Sequence, residues 1–85
     1  MARRLYVGNL NYNTTEDTIR DAFSAFGTLK YVKVITDRDS GKSKGFGFVE
    51  FAKDEEGAVA MNTMNNTEVD GRKLIVNEAH EKEKR

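Results

Sequence analysis

The chain has 85 residues, with 14 Lys and Arg balanced by 14 Asp and Glu, and no cysteine. That length holds one hydrophobic core and therefore one domain. Zero net charge argues against a protein that coats duplex DNA by charge alone, and the lack of cysteine excludes disulfide staples, thiolate metal sites and a cysteine nucleophile.

In chain order, "RRLYVGNL" is a short apolar run ending in Gly-Asn and reads as a first strand. "NTTEDTIRDAFSAFG" reads as a helix capped by Thr14 or Thr15, with Glu16 and Asp17 in its first turn. Its buried stripe is Ile19, Ala22, Phe23 and Phe26, at i, i+3, i+4 and i+7, and Gly27 stops it. "LKYVKVIT" alternates as a second strand, with Val32 and Val34 on one face and Tyr31, Lys33 and Ile35 on the other. "DRDSGKS" is a loop by composition, and "KGFGFVEF" is a third strand. "KDEEGAVAMNTM" reads as a second helix with acidic residues at its start, where the helix dipole favours them. Its inward stripe is Gly57, Ala60, Met61 and Met64; glycine there costs about 1 kcal/mol against alanine and points to close approach to the sheet. An Asp-Gly turn at Asp70-Gly71 leads to a fourth strand with Leu74 and Val76 inward. The domain is expected to span residues 1–79, followed by a charged, disordered tail at 80–85.

The order is βαββαβ. It implies an α+β, ferredoxin-like split βαβ sandwich: a four-stranded antiparallel sheet with two helices on one face. Val7, Val32, Val34, Val49, Phe51, Leu74 and Val76 then meet Phe23, Phe26 and Met61 under the helices. Tyr6, Lys33, Phe46, Phe48 and Asn77 fall on the uncovered side. Two Phe and one Tyr on one open face forgo roughly 1.5–3 kcal/mol of burial each, so that face calls for a partner.

Charge is segregated along the chain. Lys30, Lys33, Arg38, Lys42 and Lys44 cluster in the middle, and Glu50, Asp54, Glu55, Glu56 and Glu68 follow. Ordinary solvated surface explains most single charges, but the segregation sets a basic strand-and-loop region against an acidic helix. Several chemical motifs fail. "GFGFVE" has Glu50 where a dinucleotide fingerprint needs its third glycine. "DRDSGKSKGFGF" has its glycine at the fifth position of a calcium loop and Phe48 where the bidentate Glu belongs. His80 is the only histidine and sits in the tail. No cofactor, metal or catalytic residue is expected, and the chain is read as a non-enzyme.

One pattern matches. "LYVGNL" at 5–10 and "KGFGFVEF" at 44–51 resemble the two ribonucleoprotein signatures of the RNA-recognition motif, the second at each position. The resemblance covers roughly residues 3–79. Within that family the chain resembles the small single-motif RNA-binding proteins of bacteria and the glycine-rich RNA-binding proteins, chiefly through "VITDRDSGKSKGFGFVEF". Gly57 departs from the family's usual alanine, and residues 80–85 do not resemble the glycine-rich tail of many relatives, so no function of that tail is expected to carry over.

The resemblance implies single-stranded RNA binding, with single-stranded DNA bound more weakly, by a monomer in post-transcriptional regulation or RNA remodelling. Strands one and three lie side by side in this fold, so Tyr6 and Phe48 offer two rings near one strand spacing apart, about 4.8 Å, for successive bases. Phe46, by resemblance, packs against the sugars between them. Gly45 and Gly47 point to the helix side. Lys44 suits a phosphate, Lys33 and Ile35 extend the platform on one flank, and Asn77 and Ala79 extend it on the other. Asn77 is placed to read a base edge. Arg38 and Lys42 sit on a mobile loop able to close over the ligand, and Arg3 and Arg4 are looser candidates for the nucleic-acid backbone. Tyr12 and Tyr31 are assigned structural roles. A protein-interaction module on the same fold is the alternative, although that version usually loses its sheet aromatics. A small hydrolase on a related fold would need an anion cradle that this sequence lacks. The expected location is the cytoplasm, or the nucleus if the source is eukaryotic.

Overall fold

A computed structural model describes residues 3–79; the tail at 80–85, with His80, lies outside the described residues. Strand β1 (Arg3–Gly8) ends where Asn9 turns at φ 59°, a left-handed conformation that asparagine tolerates better than most residues. Helix α1 (Glu16–Ser24) is capped by Thr15, whose hydroxyl accepts from the Thr18 N–H at 3.2 Å. Thr14, the other expected cap, is instead buried and donates its hydroxyl proton to the Asp70 carboxylate at 2.7 Å. Strands β2 (Leu29–Thr36) and β3 (Ser43–Phe51) and helix α2 (Asp54–Met64) follow where their patterns place them.

The C-terminal region differs from expectation. Asp70 and Gly71, at φ 52° and 84°, turn a small hairpin of their own, β4 (Glu68–Val69) with β5 (Arg72–Lys73). The fourth strand of the main sheet, β6 (Ile75–Glu78), starts after the buried Leu74. The main sheet runs β2-β3-β1-β6, and the pairs β2–β3, β3–β1 and β1–β6 are all antiparallel.

Both helices pack on one face, α1 against β2 and α2 against β1, β3 and β6. There Leu5, Val7, Val32, Val34, Val49, Phe51, Leu74 and Val76 meet Ile19, Phe23, Ala60 and Met64. Phe23 and Phe51 are fully buried, with ring centroids 6.4 Å apart. Phe26 and Met61, expected inside, lie partly buried at the margin. The two outer strands are tied back by side chains. The Val34 N–H donates to the Glu16 carboxylate at 3.0 Å, and the Val76 N–H donates to the Asn65 side-chain oxygen at 2.9 Å. Each bond satisfies an edge donor that would otherwise stay open to pairing with another chain.

Three glycine and arginine expectations are settled by packing. Gly57 does allow close approach: a Cβ there would sit 2.9 Å from the Arg3 side chain, whose stem crosses α2 at that point. Arg3 accordingly lies on the helix face. Its guanidinium pairs with Asp54 at 2.7 Å and Glu78 at 3.3 Å, so it joins β1, α2 and β6 rather than facing a ligand. Gly45 and Gly47 do not make room for a helix. A Cβ on Gly47 would collide with the backbone of β2 at Lys33 and Val34, so the close neighbour is a strand.

Candidate functional site

The uncovered face of the sheet is built in rows by strand register. Lys33 lies opposite Phe48, Phe48 opposite Tyr6, and Tyr6 opposite Asn77. One step along, Tyr31 lies opposite Glu50 and Glu50 opposite Arg4. Four of the expected contact residues, Tyr6, Phe48, Lys33 and Asn77, are thus brought into a single line across four strands.

Phe46 joins them from the next position on the same face of β3. Its ring centroid is 5.8 Å from Tyr6 and 6.3 Å from Phe48, and Tyr6 is 6.0 Å from Phe48. The spacing exceeds the expected 4.8 Å because the rings do not lie parallel. Tyr6 and Phe48 meet at 67° and Phe46 and Phe48 at 89°, the edge-to-face arrangement that ring quadrupoles favour. All three rings are half-buried by one another and present the rest of their surface outward. Tyr6 leans along β1 over Gly8, where a Cβ would stand 2.6 Å from its hydroxyl oxygen. Position 8 therefore has room only for glycine while the ring keeps that pose.

At one end the face is closed by a charge pair. Arg4 donates to Glu50 at 3.2 Å and stacks 5.2 Å from the centre of the Tyr31 ring. The side chain expected as a looser contact to the nucleic-acid backbone is therefore already matched to a carboxylate. Tyr31 takes the structural role expected of it, beneath Arg4.

At the other end β3 breaks its alternation. Between the pairs Val34↔Gly47 and Thr36↔Ser43, β2 advances by two residues and β3 by four, so extra residues bulge from β3. Gly45 takes up that bulge at φ 88°, which glycine adopts without strain. Beyond it lies an open depression of about 680 Å³ lined by Phe46, Lys44, Lys42, Ser40 and Tyr12, among others. Lys42 and Lys44 thus come together next to Phe46. Arg38 projects from the β2–β3 turn as an exposed residue outside that lining.

The turn expected to be mobile is heavily hydrogen-bonded. The Asp37 carboxylate accepts from the N–H groups of Asp39 at 2.8 Å and Ser40 at 3.1 Å. The Asp37 N–H donates to the Lys42 carbonyl at 2.7 Å, and the Gly41 N–H to the Asp37 carbonyl at 2.8 Å. Those bonds from Ser40 and Asp39, with Lys44 nearby, hold the Asp37 carboxyl below its ordinary pKa of 3.8. The hydrogen bond from Arg3 does the same for Asp54. A carboxylate lowered in the folded state contributes stability above its unfolded pKa and loses it as pH falls through the folded value. Melting temperature is therefore expected to stay level above about pH 5 and to drop below about pH 4. Thermal melts across that range test this, and a melting temperature that rises on acidification would contradict it.

The second loop at this end was not foreseen. Residues 9–14, after β1, are stapled to the β4–β5 hairpin. The Asn9 amide donates to the Lys73 carbonyl at 2.7 Å, the Arg72 guanidinium donates to the Asn9 side-chain oxygen at 2.7 Å, and the Asn11 amide donates to the Asp70 carbonyl at 3.0 Å. The loop carries Tyr12, expected to be structural but 69% exposed. Its position after the strand-ending Gly-Asn, with no place in a core stripe, is the signal in the sequence that marks it as outward. Among the described residues, no group of three or more His, Cys, Asp or Glu side chains is placed to hold a metal ion, and no helix is long and apolar enough to cross a membrane.

The family model described as RNA recognition motif matches residues 5–75. The chain is 48% identical over 80 residues to glycine-rich RNA-binding protein 1 of Mycosarcoma maydis, covering 94% of this chain and 46% of that protein. It therefore spans about half the length of that relative. It is 44% identical over 81 residues to the putative RNA-binding protein RbpA of Nostoc sp., covering 95% of this chain and 79% of the relative. Among solved structures it resembles that of the Rna15 RRM with bound RNA (GU), with a TM-score of 0.82 and 32% identity over 91% of this chain and 82% of that one. With both signatures on adjacent central strands, the rings on the open face and the family model spanning nearly the whole sheet and both helices, the chain belongs to the RNA recognition motif family.

Proposed function

We propose that this protein binds single-stranded RNA on the open sheet face, without catalysis, in post-transcriptional regulation or RNA remodelling. The observation that carries this reading is the Tyr6–Phe46–Phe48 cluster, three rings within 6.3 Å of one another on the face the helices leave bare. A sequence-tolerant aromatic ring face is what an unstacked base needs, at about 1–3 kcal/mol per base. The register places Lys33 and Asn77 on either side of the Tyr6–Phe48 pair, a cation for phosphate and an amide for a base edge. Lys44 and Lys42 supply positive charge beyond Phe46. The bound RNA in the solved Rna15 RRM and the names of both relatives agree with this reading.

With net charge zero, stacking rather than counterion release supplies most of the affinity, so the salt dependence is expected to be shallow. The testing experiment follows from geometry. A-form duplex buries its bases and offers a ring platform nothing to stack on. A short mixed-sequence RNA is therefore expected to bind as a single strand and to lose binding once annealed to its complement. Equal or tighter binding of the duplex would refute the reading. No binding of either form would shift the aromatic face to a protein partner.

A further inference from the structure

We propose that Gly8 is a positioning residue for RNA binding: its missing side chain lets the Tyr6 ring lie back over β1 against Phe46, and that pose sets the affinity of the platform. The inference rests on the single-strand reading above and deepens it.

Glycine in a strand weakens the strand, so its presence there calls for a reason. The backbone does not supply one. Gly8 pairs in register with Ile75 and lacks the positive φ of Gly45 and Gly71. The helix layer does not supply one either. Val7 points into the core, so Gly8 lies on the face that the helices leave bare. Gly8 is nevertheless buried, and what covers it is Tyr6. The three atoms nearest to a Cβ at position 8 would be the Tyr6 hydroxyl oxygen at 2.6 Å, Cε2 at 2.7 Å and Cζ at 2.9 Å.

The lean of the ring has a direction. The register runs from Tyr6↔Phe48 to Val7↔Gly47, so position 8 leads toward Phe46. Phe48 stands directly across from Tyr6, yet the Tyr6 ring is closer to Phe46, at 5.8 Å against 6.0 Å between centroids. It is also nearer to parallel with Phe46, at 33° against 67°. A methyl group at position 8 displaces the far end of the Tyr6 side chain, which turns about its own χ angles without moving the backbone. The contact with Phe46 then opens while the fold stays. A base stacks only on a ring face presented to it, so the displaced ring loses part of its stacking.

A mixed-sequence RNA hexanucleotide, titrated by NMR against Gly8→Ala, Tyr6→Ala and the double variant, tests this. Gly8→Ala is expected to weaken binding about three- to tenfold, and Tyr6→Ala about tenfold or more. In the Tyr6→Ala background, Gly8→Ala is expected to change binding less than about twofold, because the ring it acts through is gone. The ring-to-ring NOEs between Tyr6 and Phe46 are expected to disappear in Gly8→Ala, while its thermal melt matches or exceeds the parent. If Tyr6→Ala weakens binding and Gly8→Ala does not, the positioning role is wrong and the platform reading stands. Equal loss from Gly8→Ala in both backgrounds would show an effect independent of Tyr6 and overturn the proposal. Persistence of the Tyr6–Phe46 NOEs, or melting well below the parent in both backgrounds, would overturn it too. If neither Tyr6→Ala nor Phe48→Ala weakens binding, the platform reading itself fails.

Discussion

Phe51→Ala is expected to lower unfolding stability by about 3–5 kcal/mol, the range for removing a fully buried Phe. Phe51 is 0% exposed, touches Phe23 across the sheet–helix interface with centroids 6.4 Å apart, and pairs with Leu29 and Arg3 at the end of β3. The loss is a large fraction of the roughly 5–15 kcal/mol that holds a domain folded. A denaturant melt reads it as a lower midpoint at unchanged slope. A change under about 1 kcal/mol would mean that the core sits on the other face.

Phe48→Ala is the complementary experiment, three residues away and on the opposite side of the sheet. It is expected to lose about 1–3 kcal/mol of single-stranded RNA affinity. Its stability cost is expected to be small but not zero, about 0.5–1.5 kcal/mol, because the ring makes edge contacts with Tyr6 and Phe46 that a purely solvent-facing ring would lack. The same titration and melt on both variants separate the two faces. Phe48→Ala unfolding the domain while Phe51→Ala leaves it stable would reverse the assignment and remove the proposed binding surface.

The Lys33–Phe48–Tyr6–Asn77 line makes a further point about specificity. Its ends are a long flexible cation and a short amide, so under the proposed binding mode the Lys33 end is expected to tolerate many phosphate positions and the Asn77 end to select a base edge. One row away Arg4 is already paired with Glu50, so under the same proposal Arg4 is not expected to contact the strand.

The faces of the strands were readable from alternation, because a side-chain period of two divides any strand into two sets and only one set can be covered by two helices. That logic placed Val49 and Phe51 inside and Phe48 outside, and it put Tyr6, Lys33 and Asn77 in one row once the strands were ordered. The helix stripe Ile19–Phe23 and the Asp-Gly turn were equally local, while the choice of Thr15 over Thr14 as cap came from the contact between Thr14 and Asp70. What alternation does not carry is where it stops. Gly45 at φ 88° and the extra residues of β3 belong to the register between β2 and β3, which exists only once the two strands are paired.

The same holds for the residues whose roles changed. Arg3 reads as a free cation in the sequence and becomes an ion-pair link only because α2 starts beside β1, 51 residues later. Gly47 reads as helix clearance and turns out to be strand clearance, since the neighbouring β2 backbone fills the space that its side chain would need. Thr14 and Tyr12 owe their positions to Asp70, which lies 56 residues from Thr14. The sequence by itself therefore determined the order of the main-sheet strands and helices, most of the buried set and the three rings on the open face, since each follows from spacing within a single element. Only the tertiary structure decided the ring tilts, the loop that carries Tyr12 and the partners of the charges. Those are set by hydrogen bonds and collisions between distant segments, and no local pattern encodes which segments will meet.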